Sequence, residues 1–169
     1  MKNRNALILG IAVLVLATVT PLATAGEDSA FTAFNENYEA IRLALLHDNM
    51  KDVAKNARAI ERSAAELQGD FSSGHAGVSE DSAAACKALL PEIGQAAGRL
   101  AKATDIASAR EAFGALSKPM VRYREMASGD RPVVVYCAMA KKAWLQPDGE
   151  IGNPYYGQSM AKCGDVVSK

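Results

Sequence analysis

Four separate stretches of this chain repeat apolar residues at alternating steps of three and four. Phe31, Phe34, Tyr38, Ile41 and Leu45 mark the first, over 29–47. Met50, Val53, Ala57, Ile60, Ala64 and Leu67 mark the second, over 49–68. Cys86, Leu89, Ile93, Ala97 and Leu100 mark the third, over 80–103. Ile106, Ala109, Phe113, Leu116, Met120 and Tyr123 mark the fourth, over 106–127. This spacing puts one apolar stripe along each helix and demands a partner for it. Each stretch is about 20 residues and so about 30 Å long. Short joints between the first and second, and between the third and fourth, force antiparallel neighbours. The expected fold is all-α: an up-down four-helix bundle over 26–128. Ser79 and Asp105 are placed to cap the third and fourth helices, and Gly69 to stop the second. Pro91 and Pro119 fall inside helical patterns and are expected to kink or restart them. The GDFSSGHAGVS linker, 69–79, reads as mobile.

The N-terminus sets the compartment. Lys2 and Arg4 precede an apolar run, 6–19, and Ala23-Thr24-Ala25 supplies a small-x-small cleavage pattern. Residues 1–25 are therefore expected to be a signal peptide cut after Ala25, delivering the mature chain to a bacterial periplasm. The run is short for a membrane span, Pro21 ends it, and no later segment would span. The chain balances 19 basic against 19 acidic residues, and removing Lys2 and Arg4 leaves a small acidic excess. No charge block points to nucleic acid or an anionic membrane.

From Gly129 the composition changes. Residues 129–169 read as an irregular tail packed on the bundle, opening with an extended segment, PVVVY (132–136). Pro147-Asp148-Gly149 and Gly152-Asn153-Pro154 are turn signals, and Trp144, Tyr155 and Tyr156 are expected to anchor the tail. Four sulfur residues bracket it. Cys137 and Met139 stand two apart, as on one side of an extended segment. Met160 and Cys163 stand three apart, as on one face of a helical turn. If the tail folds back, these pairs meet, and thiolate with thioether selects soft ions, Cu(I) or Ag(I). Spacing alone favours a Cys137–Cys163 disulfide, the usual state of two such cysteines in an exported protein, which the chain-entropy model values at roughly 3–4 kcal/mol. The methionines would then be fillers. Oxidation would also remove both thiolates from metal binding, so the two states exclude each other.

The remaining candidates read as structural. Cys86 lies on a core stripe, His75 in the Gly/Ser linker and His47 at a helix C-terminus, where a cation is favoured. Met120 and Met126 read as packing residues. No HExxH, nucleophile elbow, CxxCH or CxxC motif is present, so the expectation is a binding protein and not an enzyme.

The tail resembles the C-terminal signature of domain of unknown function 3347. CAMA (137–140), WLQ (144–146), IGNPYYG (151–157), Met160 and Cys163-Gly164 carry the resemblance, with YEAIRLALLHDN and REAFGALSKPM in the helical part. Related domains occur as exported proteins and as appendages on periplasmic adaptors of copper/silver efflux pumps. The resemblance thus implies handling of Cu(I) or Ag(I) beside an efflux system, with Cys137, Met139, Met160 and Cys163 as the proposed ligands. The sequence departs from that signature at Ala138, where the family usually has Pro.

Overall fold

In the computed structural model, residues 29–129 and 131–169 are described. The expected signal peptide lies outside the described residues. Five helices come first: α1 (Ala30–Leu46), α2 (Val53–Gly69), a single turn α3 (Ser73–Ala76), α4 (Glu80–Leu100) and α5 (Ile106–Met126). Three strands follow: β1 (Val133–Cys137), β2 (Lys142–Gln146) and β3 (Asp165–Ser168). Among the described residues no helix is long and apolar enough to cross a membrane.

The stripes become the core. Phe34, Tyr38, Ile41 and Leu45 of α1 are fully buried, as are Ala57 and Ile60 of α2, Leu90 and Ile93 of α4, and Phe113, Leu116 and Met120 of α5. α1 packs against α2 and α5, α2 against α4, and α4 against α5. Small residues bring α2 and α4 close: a Cβ on Gly98 would stand 2.5 Å from the Glu61 carboxylate. Asp105 accepts from the Ser108 amide at 2.8 Å in a capping box, which holds one otherwise unpaired amide of the first turn. Ser79 occupies the N-cap of α4, but its hydroxyl donates to Ser82 Oγ and caps no amide.

Both prolines lie within continuous helices, so of the two outcomes expected neither Pro91 nor Pro119 gives a restart. Two expectations need correction. The Gly/Ser linker forms α3, capped by the Ser72 side chain on the His75 amide, and buries Ala76 and Val78; Val78 bridges Ala127. The tail is not irregular, so the fold is mainly helical and not all-α. Its strands form an antiparallel sheet in the order β2-β1-β3. β1 supplies the expected extended segment, pairing Val135 with Trp144 and with Val166. β2 seats this sheet on α5 and α1.

Burial also sets a pH limit. Desolvation pushes the Tyr38 phenol well above its ordinary value of 10.0 and the Cys86 thiol above 9.0. Raised folded-state values mean that the neutral groups' contribution is complete below the unfolded-state values. Above them the unfolded chain ionises first, and stability is lost as pH rises towards the folded-state values. Tm is therefore expected to fall steadily from about pH 9 to about pH 11; a flat Tm across that range, followed by circular dichroism, would contradict this account.

Candidate functional site

β1 is the central strand, and its last residue, Cys137, is completely buried. The chain then turns through Ala138–Lys141, with Lys141 at φ 53°. This turn aims backbone amides at sulfur: Ala140 N donates to Cys137 Sγ at 3.4 Å, and the Met139 amide faces both cysteine sulfurs.

Cys163 arrives from the other end of the tail, and a single buried amide side chain delivers it. Asn153 Oδ1 accepts from the backbone amides of Tyr155 (2.8 Å) and Tyr156 (3.3 Å), while its Nδ2 donates to Cys163 O at 2.7 Å. Its own backbone amide donates to Ala161 O at 2.7 Å. Asn153 is fully buried, so each of these bonds replaces hydration that the interior cannot supply. Gln146 does similar work upstream: its Oε1 accepts from Trp144 Nε1 (3.0 Å) and Gly152 N (3.1 Å).

Two arginines hold the same loop from the helices. Arg42 of α1 donates to Gly152 O at 2.7 Å and is itself paired with Glu39. Arg110 of α5 donates to Pro154 O and Leu45 O, both at 2.9 Å, and pairs with Asp48. Tyr155 completes the attachment, its hydroxyl donating to Ala143 O at 2.6 Å and its ring lying 5.8 Å from Trp144 and 6.0 Å from Phe113. Beyond Cys163, Gly164 has φ +151°, and a Cβ there would stand 2.7 Å from the Trp144 indole. Only glycine lets β3 run that close to the ring.

The result is a sulfur pair, with Cys137 Sγ and Cys163 Sγ 2.8 Å apart and no disulfide bond joining them. Burial raises the Cys137 thiol, but hydrogen bonds from the Cys163 thiol, the Ala140 and Met139 amides and Asn153 outweigh it, leaving Cys137 below its ordinary value. The hydrogen bond to Cys137 raises Cys163, with burial and the nearby charges of Cys137 and Asp165 adding to it. One thiolate on Cys137, held by the remaining thiol proton of Cys163, is the arrangement this polarity favours.

The four sulfur residues are not placed alike. Met139 is not on the extended segment with Cys137 but in the turn after it, 65% exposed on the rim of a cleft of about 380 Å³ beside Lys142 and Tyr155. Met160 ends a 3₁₀ turn (Gly157–Met160) and is 36% exposed. Its carbonyl accepts from Cys163 N at 3.1 Å, the expected three-residue turn. Both thioethers reach solvent. Among the described residues, no group of three or more His, Cys, Asp or Glu side chains could hold a metal. That donor set does not fit zinc, whereas two sulfurs at one point fit a soft monovalent ion.

Of the other candidates, Trp144 and Tyr155 are buried and Tyr156 is partly so. Cys86 is enclosed in α4 beside Tyr123. His47 is the C-cap of α1, and both His47 and His75 are exposed. Sequence reasoning missed Arg42, Arg110, Gln146 and Asn153 as organisers of the site. All four lie inside the quoted motifs, Gln146 and Asn153 in the tail and Arg42 and Arg110 in the helical part, a signal that could have found them.

A family model described as Protein of unknown function (DUF3347) matches residues 35–130. That span runs from within α1 through α5 and stops before β1. No curated protein and no solved structure matches the chain.

Proposed function

The chain belongs to the DUF3347 family, and from that membership and the meeting of two thiols we propose that the reduced protein binds one Cu(I) or Ag(I) ion. It would serve as a carrier or buffer beside an efflux system in the periplasm, with the signal sequence as its route there. In this reading the four long helices form an up-down bundle whose task is to hold two tail arms in register. Cys137 and Cys163 are the anionic donors, and Met139 and Met160 are outer thioethers that capture or pass on the ion. The carrying observation is the convergence of Cys137 and Cys163, from positions 26 residues apart, onto one point lined by backbone amides. The ion would supply only its affinity for sulfur; binding, orientation and exclusion of water belong to the chain. The partner implied is a periplasmic adaptor of a metal efflux pump, and the reading is of a binding protein, not an enzyme.

The test is competition between the fully reduced protein and a weak Cu(I) chelator. Stoichiometric uptake of one ion is expected, and a reduced protein that takes none ends this reading. Met139→Leu and Met160→Leu keep side-chain volume and remove only a donor. Each is expected to weaken binding while leaving stability within about 1.5 kcal/mol.

One observation favours a second reading. The tail is fastened to α1 and α5 by Arg42, Arg110 and Tyr155 with no ion needed. The chain would then be an interaction module whose tail is locked by a Cys137–Cys163 disulfide and docks on an envelope partner. It predicts Met→Leu variants that are silent towards copper.

A further inference from the structure

The two sulfurs are in contact but differ in access. Cys137 is fully buried on the central strand, between β2 and β3. Cys163 is partly exposed in a segment whose neighbours Met160, Lys162 and Asp165 all reach solvent. An external molecule can therefore meet only one of the two thiols, and that thiol already touches the other.

We propose that Cys137 and Cys163 form an ordered thiol–disulfide exchange site, in which Cys163 receives an external disulfide and Cys137 resolves it. In the first step Cys163 passes its thiol proton to the touching Cys137 sulfur, which later yields it to the departed RS⁻, and Cys163 Sγ attacks one sulfur of a disulfide R–S–S–R. The Cys163–S–S–R bond forms, the R–S–S–R bond breaks, and one RS⁻ leaves. In the second step Cys137 Sγ attacks Cys163 Sγ, forming Cys137–Cys163 and expelling the second RS⁻. The protein gives up two electrons and two thiol protons, and the products are two RSH molecules. The existing sulfur contact means that the second step needs no rearrangement of β1. Cys86 takes no part, because it is enclosed in the helical core. The exchange order goes beyond metal binding and holds whether or not the site takes an ion.

The experiment uses metal-free, reduced protein, oxidised glutathione as the disulfide, and acid-quenched mass spectrometry with peptide mapping. The wild type is expected to pass to the internal disulfide without accumulating a mixed disulfide. Cys137→Ser should accumulate one glutathione adduct, on Cys163. Cys163→Ser should form an adduct on Cys137 at least about tenfold more slowly, because access limits the attacking thiol. Limited alkylation of the unmodified protein reads the same asymmetry without a substitution, with Cys163 labelled first. Labelling of Cys137 first, equal adduct rates in the two variants, or a wild type that stops at the adduct or stays a dithiol would overturn the proposal. A parallel arm adds one equivalent of Ag(I) before the oxidant. Slower oxidation by about tenfold is expected if the ion shares the site. Unprotected oxidation in the expected order counts against the metal reading alone and leaves the exchange order standing.

Discussion

Cys137→Ser and Cys163→Ser are each expected to lose tight Cu(I) and Ag(I) binding, by about 100-fold or more in affinity. The two sulfurs contribute different things to one site. Cys137 carries the stabilised thiolate, facing the Ala140 and Met139 amides, and Cys163 closes the pair from the partly exposed side. Losing either leaves one thiolate and two neutral thioethers, and thioether has no charge with which to replace thiolate. Oxygen in place of sulfur keeps the approximate shape while removing the soft donor, so the loss is chemical and not steric. The competing disulfide reading gives a different signature under oxidising conditions. Both variants would lose a similar stability, roughly 2–4 kcal/mol, relative to the oxidised wild type, and neither would differ from wild type towards copper. Measuring Cu(I) competition and thermal unfolding on the same two proteins decides the matter: a Cys163→Ser protein that binds Cu(I) as tightly as the reduced wild type refutes the two-thiolate site.

Asn153→Ala is expected to be the most damaging polar substitution in the tail, destabilising it by roughly 2–4 kcal/mol. Alanine would strip partners from the Tyr155 and Tyr156 amides and from the Cys163 carbonyl, all held by this one side chain. Buried groups left without partners carry their full desolvation penalty, which exceeds the value of an ordinary hydrogen bond. The chain has a single tryptophan, Trp144, buried beside Tyr155 and Gly164, so its fluorescence reports the tail during urea unfolding. Asn153→Asp keeps an oxygen for the two amides but loses the donor to Cys163, and should fall between alanine and wild type. Because the same side chain sets the position of Cys163, Asn153→Ala should also weaken Ag(I) binding in conditions where the protein remains folded. A urea midpoint within error of wild type would show that Asn153 does not organise this loop.

The helical half of the molecule was written locally, which is why it could be read. Stripes such as Phe34-Tyr38-Ile41-Leu45 fix which face of a helix is buried wherever the helix goes, and the Asp105 cap depends on residues three positions away. The segment PVVVY announced a strand by its β-branched side chains, and the two cysteines announced themselves by chemistry. The tertiary structure decided what depends on distant partners. KAWLQ shows no clean alternation and becomes β2 because β1 offers a ladder; exposed DVVS becomes β3 on the other edge for the same reason. Met139 looked like the partner of Cys137 because residues two apart face alike on a strand. The strand ends at Cys137, and the turn that follows carries the thioether outward. Arg42 and Arg110, read along the sequence, are helix-surface charges. They become clamps on a loop more than 40 residues distant only once the tail has folded back over α1 and α5. Sequence alone therefore determined the helices and the sulfur inventory, since periodicity and donor chemistry belong to the residues themselves. The meeting of the two thiols, and the exposure of one and burial of the other, had to wait for the fold, because buried polar groups choose partners by proximity in space and not along the chain.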